Sequence, residues 1–217
     1  MGIFVFTEVL IMSETKKKNP LLNTRTMVSC AMLAACAVIL IELEIPLPFI
    51  APPFYKFDFS ELPALIGAFS MGPVAGIIIE LVKVLVKLIT TNTMGVGELS
   101  NFVLGCIFII PASIIYKQKK TKKRAIVGLI TGGLSMAVLA TFINAFIMIP
   151  LYASLFSMPV EAIIQMGSAI FPFVDSMFDF CLVCVLPFNL IKALIVSAVT
   201  AFIYKPLSIL IKGISNY

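Results

Sequence analysis

The 217-residue chain contains no histidine, which removes the commonest proton shuttle and metal ligand. It also lacks a G-x-x-x-x-G-K-[ST] phosphate loop, so it is not expected to hydrolyse ATP itself. No catalytic carboxylate pair, serine elbow or zinc-ligand spacing argues for an enzyme. Charge is scarce as well: 12% of residues are charged and 60% are hydrophobic. The mean hydropathy is +1.10. That is more apolar surface than a soluble fold of this length hides, so the composition places the chain in a bilayer. The five cysteines, Cys30, Cys36, Cys106, Cys181 and Cys184, all fall in apolar segments. "CLVC" has redox-motif spacing without a soluble redox fold around it, and is expected to be buried packing.

A spanning helix takes about 20 apolar residues, because a rise of ~1.5 Å per residue must cover ~30 Å of hydrocarbon. Six apolar runs stand out: about Met27 to Leu43, Leu62 to Met71, Pro73 to Ile89, Leu99 to Tyr116, Ala125 to Tyr152 and Cys181 to Tyr204. The second and third are separated at "MGP", where Gly72 and Pro73 interrupt a helix. The expected fold is all-α, an integral membrane bundle of six transmembrane helices. Residues 1–25 would form a cytoplasmic N-terminal segment and residues 26–212 a single membrane domain. The opening "MGIFVFTEVLIM" has no basic n-region and runs into "SETKKK", so it does not read as a cleaved signal; Met12 is an alternative start. Phe6 stands where a myristoylation motif needs Ser or Thr.

Lysine and arginine fix the expected orientation, since they stay on the cytoplasmic side. Lys16, Lys17, Lys18 and Arg25 precede the first run, "YKQKKTKKR" lies between the fourth and fifth, and Lys205 and Lys212 end the sixth. Six spans with both termini cytoplasmic put all three clusters on one face. The other face carries Glu42, Glu44, Asp58, Glu61, Glu161, Asp175 and Asp179. Insertion and anionic lipid account for the positive charge, and no nucleic-acid partner is needed.

The polar residues within the runs then sort by depth. Asn189 and Lys192, in "PFNLIKAL", share one helix face a few residues into the outer half. Asn144 reaches the same level on the fifth run, and Glu98 and Asn101 stand at the mouth of the fourth. Glu80, Lys83 and Lys87 point the third run toward that level too. Simpler readings exist for single residues: a lone Asn is interhelical glue worth ~0.6 kcal/mol, and Lys87 near a helix end snorkels to the interface. Lys192 is deeper, and an unpaired ammonium costs ~2.5–3.5 kcal/mol in hydrocarbon, so it needs a polar cavity or a partner.

Between the first two runs, "EIPLPFIAPPFYKFDF" reads as a stiff extended loop carrying aromatics. It is either a lid over a flat apolar ligand or an interfacial anchor. Asp58 and Glu61 have capping-box spacing, with Ser60 a further cap, and read as structural. In the stretch 153–180, "SMPVEAIIQM" is expected to be a short surface helix capped by Ser157.

"FYKFDFSELPALIGAFSMGPVAGIIIELVK", "GVGELSNFVLG", "NAFIMIPLY" and "FNLIK" together resemble the substrate-binding S components of energy-coupling-factor vitamin transporters, in particular the riboflavin-specific type. The resemblance covers about Met27 to Tyr204 and is strongest from "KFDFS" to "GVGELSNF". It implies a multi-pass protein of the bacterial plasma membrane that binds riboflavin as cargo, with no cofactor, and works with a transmembrane T subunit and two ATPases. It implies ligand contacts from Asn144, Asn189 and Lys192, with Glu98 near the ribityl end, and a gating loop that includes Pro46, Leu47, Phe49 and Tyr55. Ala31 and Ala35, at small-x-x-x-small spacing, would receive the T subunit, although Ala34 with Ala37 and Gly72 with Gly76 offer similar close-approach surfaces. Three alternatives stay open: an S component for another vitamin, a secondary carrier driven by an ion gradient through Glu80 or Glu98 with Lys83, and an assembly protein whose polar residues only join helices.

Overall fold

The computed structural model describes residues 23–212, with side chains through residue 207. The N-terminal stretch with Lys16 to Lys18, and with it the expectations on signal, start and myristoylation, lies outside the described residues. Helix α1 spans Thr24–Glu42, capped by the Asn23 side chain. A two-residue ladder comes next, β1 Ile45–Pro46 antiparallel to β2 Lys56–Phe57. Then come α2 Glu61–Met71 and α3 Pro73–Lys87. They are split where expected: Gly72 has φ 108°, open to glycine, and Pro73 opens α3 at a position whose missing N–H costs nothing.

Helix α4 is Val96–Gln118, and α5 is Lys122–Ile143. The latter continues through a π-helical turn, Asn144–Met148, into α6 Ile149–Leu155. After α7 Val160–Ser168, a single turn α8 Met177–Phe180 leads through a second π turn, Cys181–Val185, into α9 Leu186–Lys212. The N-cap of α7 is Pro159, which corrects the expected Ser157 cap; Ser157 sits at φ 50° in the turn before it.

Among the described residues, four stretches are long and apolar enough to cross a membrane: Thr24–Glu42, Val96–Gln118, Lys122–Leu155 and Met177–Leu207. The other two expected spans are shorter. With 11 and 15 residues, α2 and α3 rise only about 16 and 22 Å, short of the ~30 Å core.

Around α4, α5 and α9 the packing is close because small residues permit it. A Cβ at Gly128 or Gly132 of α5 would run into the carbonyl oxygens of Ala112 and Phe108 on α4. Phe108, Ile109, Leu129, Leu65 and Ile79 are almost fully buried between the helices. Outward, Leu134, Val138, Phe146, Leu194 and Phe202 are exposed, an apolar belt that only a lipid environment leaves without penalty. The 23 residues of α4 separate the two ends of the bundle by about 33 Å. At one end lie Gly95 and the ladder loop; at the other, the exposed Lys117 to Lys123 turn, near a cluster of Phe69, Tyr116 and Tyr204 rings.

Candidate functional site

The end of the bundle away from the lysine turn holds a cavity that is open on one side. Asn144, Asn189 and Lys192 all line it, although they come from two separate helical stretches, Lys122–Leu155 and Met177–Leu207. The π turns account for part of this placement. Asn144 opens one of them, and Asn189 comes one helical turn after the other. An extra residue in a turn rotates the downstream helix and frees backbone carbonyls. The Asn144 amide donates to Ala140 O at 2.8 Å and the Asn189 amide to Val185 O at 2.9 Å, which fixes each side chain with its NH₂ turned to its own helix. Each then retains Oδ1 as an acceptor. Asn144 Oδ1 accepts from the Tyr55 hydroxyl at 2.8 Å, and Asn189 Oδ1 has no partner among the described residues.

The walls are aromatic and aliphatic. Phe54 stacks on Tyr152 at 5.5 Å with ring planes 22° apart, and Tyr152 stacks on Phe156 at 4.3 Å. Tyr55 lies 5.7 Å from the Phe188 ring. Leu104, Met136 and Met148 complete the apolar lining. A flat ring system has faces to stack on here, with a few polar groups at its edge.

Lys192 is held from two sides, by Asp58 Oδ2 at 2.9 Å and Glu61 Oε1 at 2.8 Å. Two of its three N–H donors are thereby committed, which leaves one for a ligand. Asp58 and Glu61 are therefore not the capping pair expected from "DFSE". Asp58 Oδ1 accepts from Ser60 N–H at 2.8 Å, and the Ser60 hydroxyl accepts from Lys83 rather than capping α2. Burial alone would push the Asp58 carboxyl up, but the Lys192 and Lys83 ammonium groups outweigh it and hold the group below its ordinary range. Burial does raise the Tyr55 phenol well above its usual value, so it stays a neutral donor.

The network continues inward. Lys83 Nζ lies 2.6 Å from Glu80 Oε2 and 3.9 Å from Glu61 Oε1, all of these groups being buried. Lys83 thus serves the ion network and does not line the cavity, contrary to the expectation that α3 points it there. Lys87 does not snorkel: it is 7% exposed and bonds to Glu42 at 3.1 Å, because α1 ends beside it.

The remaining expected residues divide. Glu98 does not line the main cavity. It lines an adjoining lobe, and Thr93 Oγ1 donates to its Oε2 at 2.6 Å. The proline-rich loop is folded back on itself rather than extended, since Pro46 pairs with Lys56 across the ladder and Ile50 and Ala51 N–H turn onto Leu47 O. This brings Phe54 and Tyr55 into the cavity wall, leaves Leu47 packed on the core, and turns Pro46 and Phe49 outward. Ala31 and Ala35 lie on the exposed face of α1, whereas Ala34 and Ala37 are buried in the bundle. Cys181 and Cys184 are buried and unpaired, as packing residues should be.

Four features escaped the sequence reading: the carboxylate partners of Lys192, the Tyr55–Asn144 bond, the π turns and the Phe54–Tyr152 stack. Only the first had a signal, because a lysine at that depth demands a counter-charge.

The sequence profile of the family described as "ECF transporter, substrate-specific component" matches residues 25–204. Over 208 residues the chain is 33% identical to the riboflavin transporter RibU of Staphylococcus aureus (strain TCH60), covering 94% of this chain and 100% of that protein. It is 28% identical to the riboflavin transporter FmnP of Bacillus subtilis (strain 168), over 84% of this chain and 92% of that one. A solved structure described as "Structure and mechanism of the S component of a bacterial ECF transporter" superposes with a TM-score of 0.67 at 32% identity, covering 87% of this chain and 98% of the other. A family match over nearly the whole helical bundle, and a relative 33% identical over its full length, establish that this chain belongs to the substrate-specific components of ECF transporters.

Proposed function

We propose that this chain is the riboflavin-binding subunit of an energy-coupling-factor uptake system in a bacterial cell membrane. The observation that carries the reading is the convergence of Asn144, Asn189 and Lys192 on one aromatic-walled cavity. The relatives named as riboflavin transporters support the choice of ligand. The isoalloxazine ring would lie against the stacked walls, with its polar edge served by the asparagine acceptors and the free Lys192 donor. The ribityl chain would extend toward Asn101 and Glu98. Tyr55, on the folded loop, would yield its bond to Asn144 or share it when the ligand enters.

Sidedness rests on charge. The cavity lies at the bundle end opposite the exposed lysine turn, and lysine-rich turns stay cytoplasmic. The site would then open outward, with six membrane-embedded helices and both termini cytoplasmic. Transport would be driven by a T subunit and two ATPases, the T subunit packing on the exposed Ala31 and Ala35 face of α1.

The detergent-purified protein tests the reading. A yellow preparation with a flavin absorption band, or tight ATP-independent capture of added riboflavin, supports it. A colourless protein that leaves riboflavin fluorescence unquenched contradicts it, and ion-driven uptake by the chain alone in liposomes would favour a secondary carrier.

A further inference from the structure

The ion network behind Lys192 does not balance. It sets three carboxyl groups, Asp58, Glu61 and Glu80, against two ammonium groups, Lys83 and Lys192, and none of the five residues is more than 7% exposed. With every group ionised, one excess negative charge would be locked away from water. A buried charge without a counter-ion is avoided by taking up a proton.

Neighbouring elements do not supply the missing cation. From α1, Glu42 reaches Lys87, about two turns beyond Glu80 on α3, and Cys30 faces Met71 at the far end of α2. Lys87 is committed to Glu42 and Glu44, and Lys56 to Glu44. From α4 comes the Cys106 thiol, within electrostatic range of Glu80 but without positive charge.

Geometry then selects which carboxyl holds the proton. Asp58 accepts from Ser60 N–H at 2.8 Å and from Lys192 at 2.9 Å. Glu61 Oε1 lies 2.8 Å from Lys192 Nζ. Glu80 has Lys83 at 2.6 Å, but that approach is off the hydrogen-bonding axis, and neither Glu80 oxygen has a hydrogen-bond partner among the described residues. Lys83 donates instead to the Ser60 hydroxyl at 3.0 Å. Gly105 of α4 seals the carboxyl so closely that a Cβ there would sit 2.8 Å from Glu80 Oε2. Hydrogen bonds favour the ionised form of a carboxyl, so the one without them is the one that stays neutral.

We propose that Glu80 is held as the neutral carboxylic acid at neutral pH and is thereby a positioning residue for Lys192. Its proton cancels the excess charge, so that Asp58 and Glu61 alone match Lys83 and Lys192, and Lys192 stays at the cavity wall beside Glu61. Glu80 and Lys83 line neither the main cavity nor its adjoining lobe, so the proton belongs to the fold and is not a transported ion. The link to binding rests on the riboflavin reading; the protonation itself does not.

Infrared spectroscopy of the full-length protein in detergent near neutral pH reads the proton directly, through the C=O stretch of a protonated carboxyl. The native protein should show that band, and Glu80→Gln should lower its intensity while keeping riboflavin affinity within about threefold, because the amide reproduces the shape and neutrality of the acid. Glu61→Gln, which removes a carboxylate partner of Lys192, should instead weaken riboflavin binding about tenfold or more. Glu98, a buried carboxyl with no ammonium beside it among the described residues, is the competing source of such a band. Glu98→Gln should therefore leave a band in place, which keeps the test open if Glu80→Gln fails to fold. Absence of the band from the native protein overturns the proposal, as does a band undiminished in Glu80→Gln or lost entirely in Glu98→Gln. A loss of riboflavin affinity in Glu80→Gln as large as that in Glu61→Gln overturns it too. A native protein that binds no flavin overturns the riboflavin reading, and the infrared band still decides whether Glu80 carries the proton.

Discussion

Lys192 Nζ lies 2.9 Å from Asp58 Oδ2, a contact between residues 134 positions apart in the chain. It joins the end of the ladder loop to the helix that carries Asn189, so the wall of the cavity and its polar floor are tied by one buried ion pair. Breaking such a pair from one side leaves a desolvated charge, which costs about 3–5 kcal/mol. Lys192→Met removes the nearest counter-charge of both Asp58 and Glu61, and should lower the thermal midpoint of the detergent-solubilised protein sharply. Adding Asp58→Asn to Lys192→Met should cost less than the sum of the two single changes. Strictly additive losses in that cycle would show that the two groups do not interact.

The same contact has a pH signature. The native Asp58 carboxyl titrates below its unfolded value of about 3.9. A depressed carboxylate stabilises the fold fully above the unfolded value, and the gain disappears as the pH falls through the native one. The stability difference between the native protein and Asp58→Asn should therefore hold steady from about pH 5 to pH 8 and shrink below about pH 4. Thermal unfolding across that range checks it; a difference that fades as the pH rises from 5 to 8 would contradict the assigned sign.

Docking and binding should separate. Ala31 and Ala35 are exposed on α1, remote in the chain from the cavity residues Asn144, Asn189 and Lys192. Replacing both with leucine adds bulk where close helix approach needs small side chains. Cellular riboflavin uptake should be abolished while the purified protein still quenches riboflavin fluorescence. Normal uptake would remove this face as the docking surface.

Part of the fold and of the candidate site was legible in the sequence, for identifiable reasons. Gly72 and Pro73 are local signals, and the break between α2 and α3 falls on them. The depth of Asn144, Asn189 and Lys192 comes from hydrophobic run lengths, and all three reach the cavity. The hidden features depend on non-local pairing. "DFSE" fits a cap locally, yet the buried lysines of α3 and α9 compete for the same carboxylates and prevail, since an unpaired buried ammonium costs more than a missing cap. Prolines suggested an extended loop, whereas pairing of Pro46 with Lys56 folds it back and swings Tyr55 inward while Phe49 points out. The π turns at Asn144–Met148 and Cys181–Val185 have no sequence signature at all, because each inserts only one residue into an otherwise continuous helix.

The most direct measurement is a riboflavin fluorescence titration of the purified protein beside its Asn144→Ala and Asn189→Ala variants. The native protein should quench stoichiometrically at one flavin per chain, and each variant should lose about 1–3 kcal/mol of binding free energy, the cost of leaving a buried ligand group unpaired. Native affinity in both variants would contradict the central claim that these amides line the binding site.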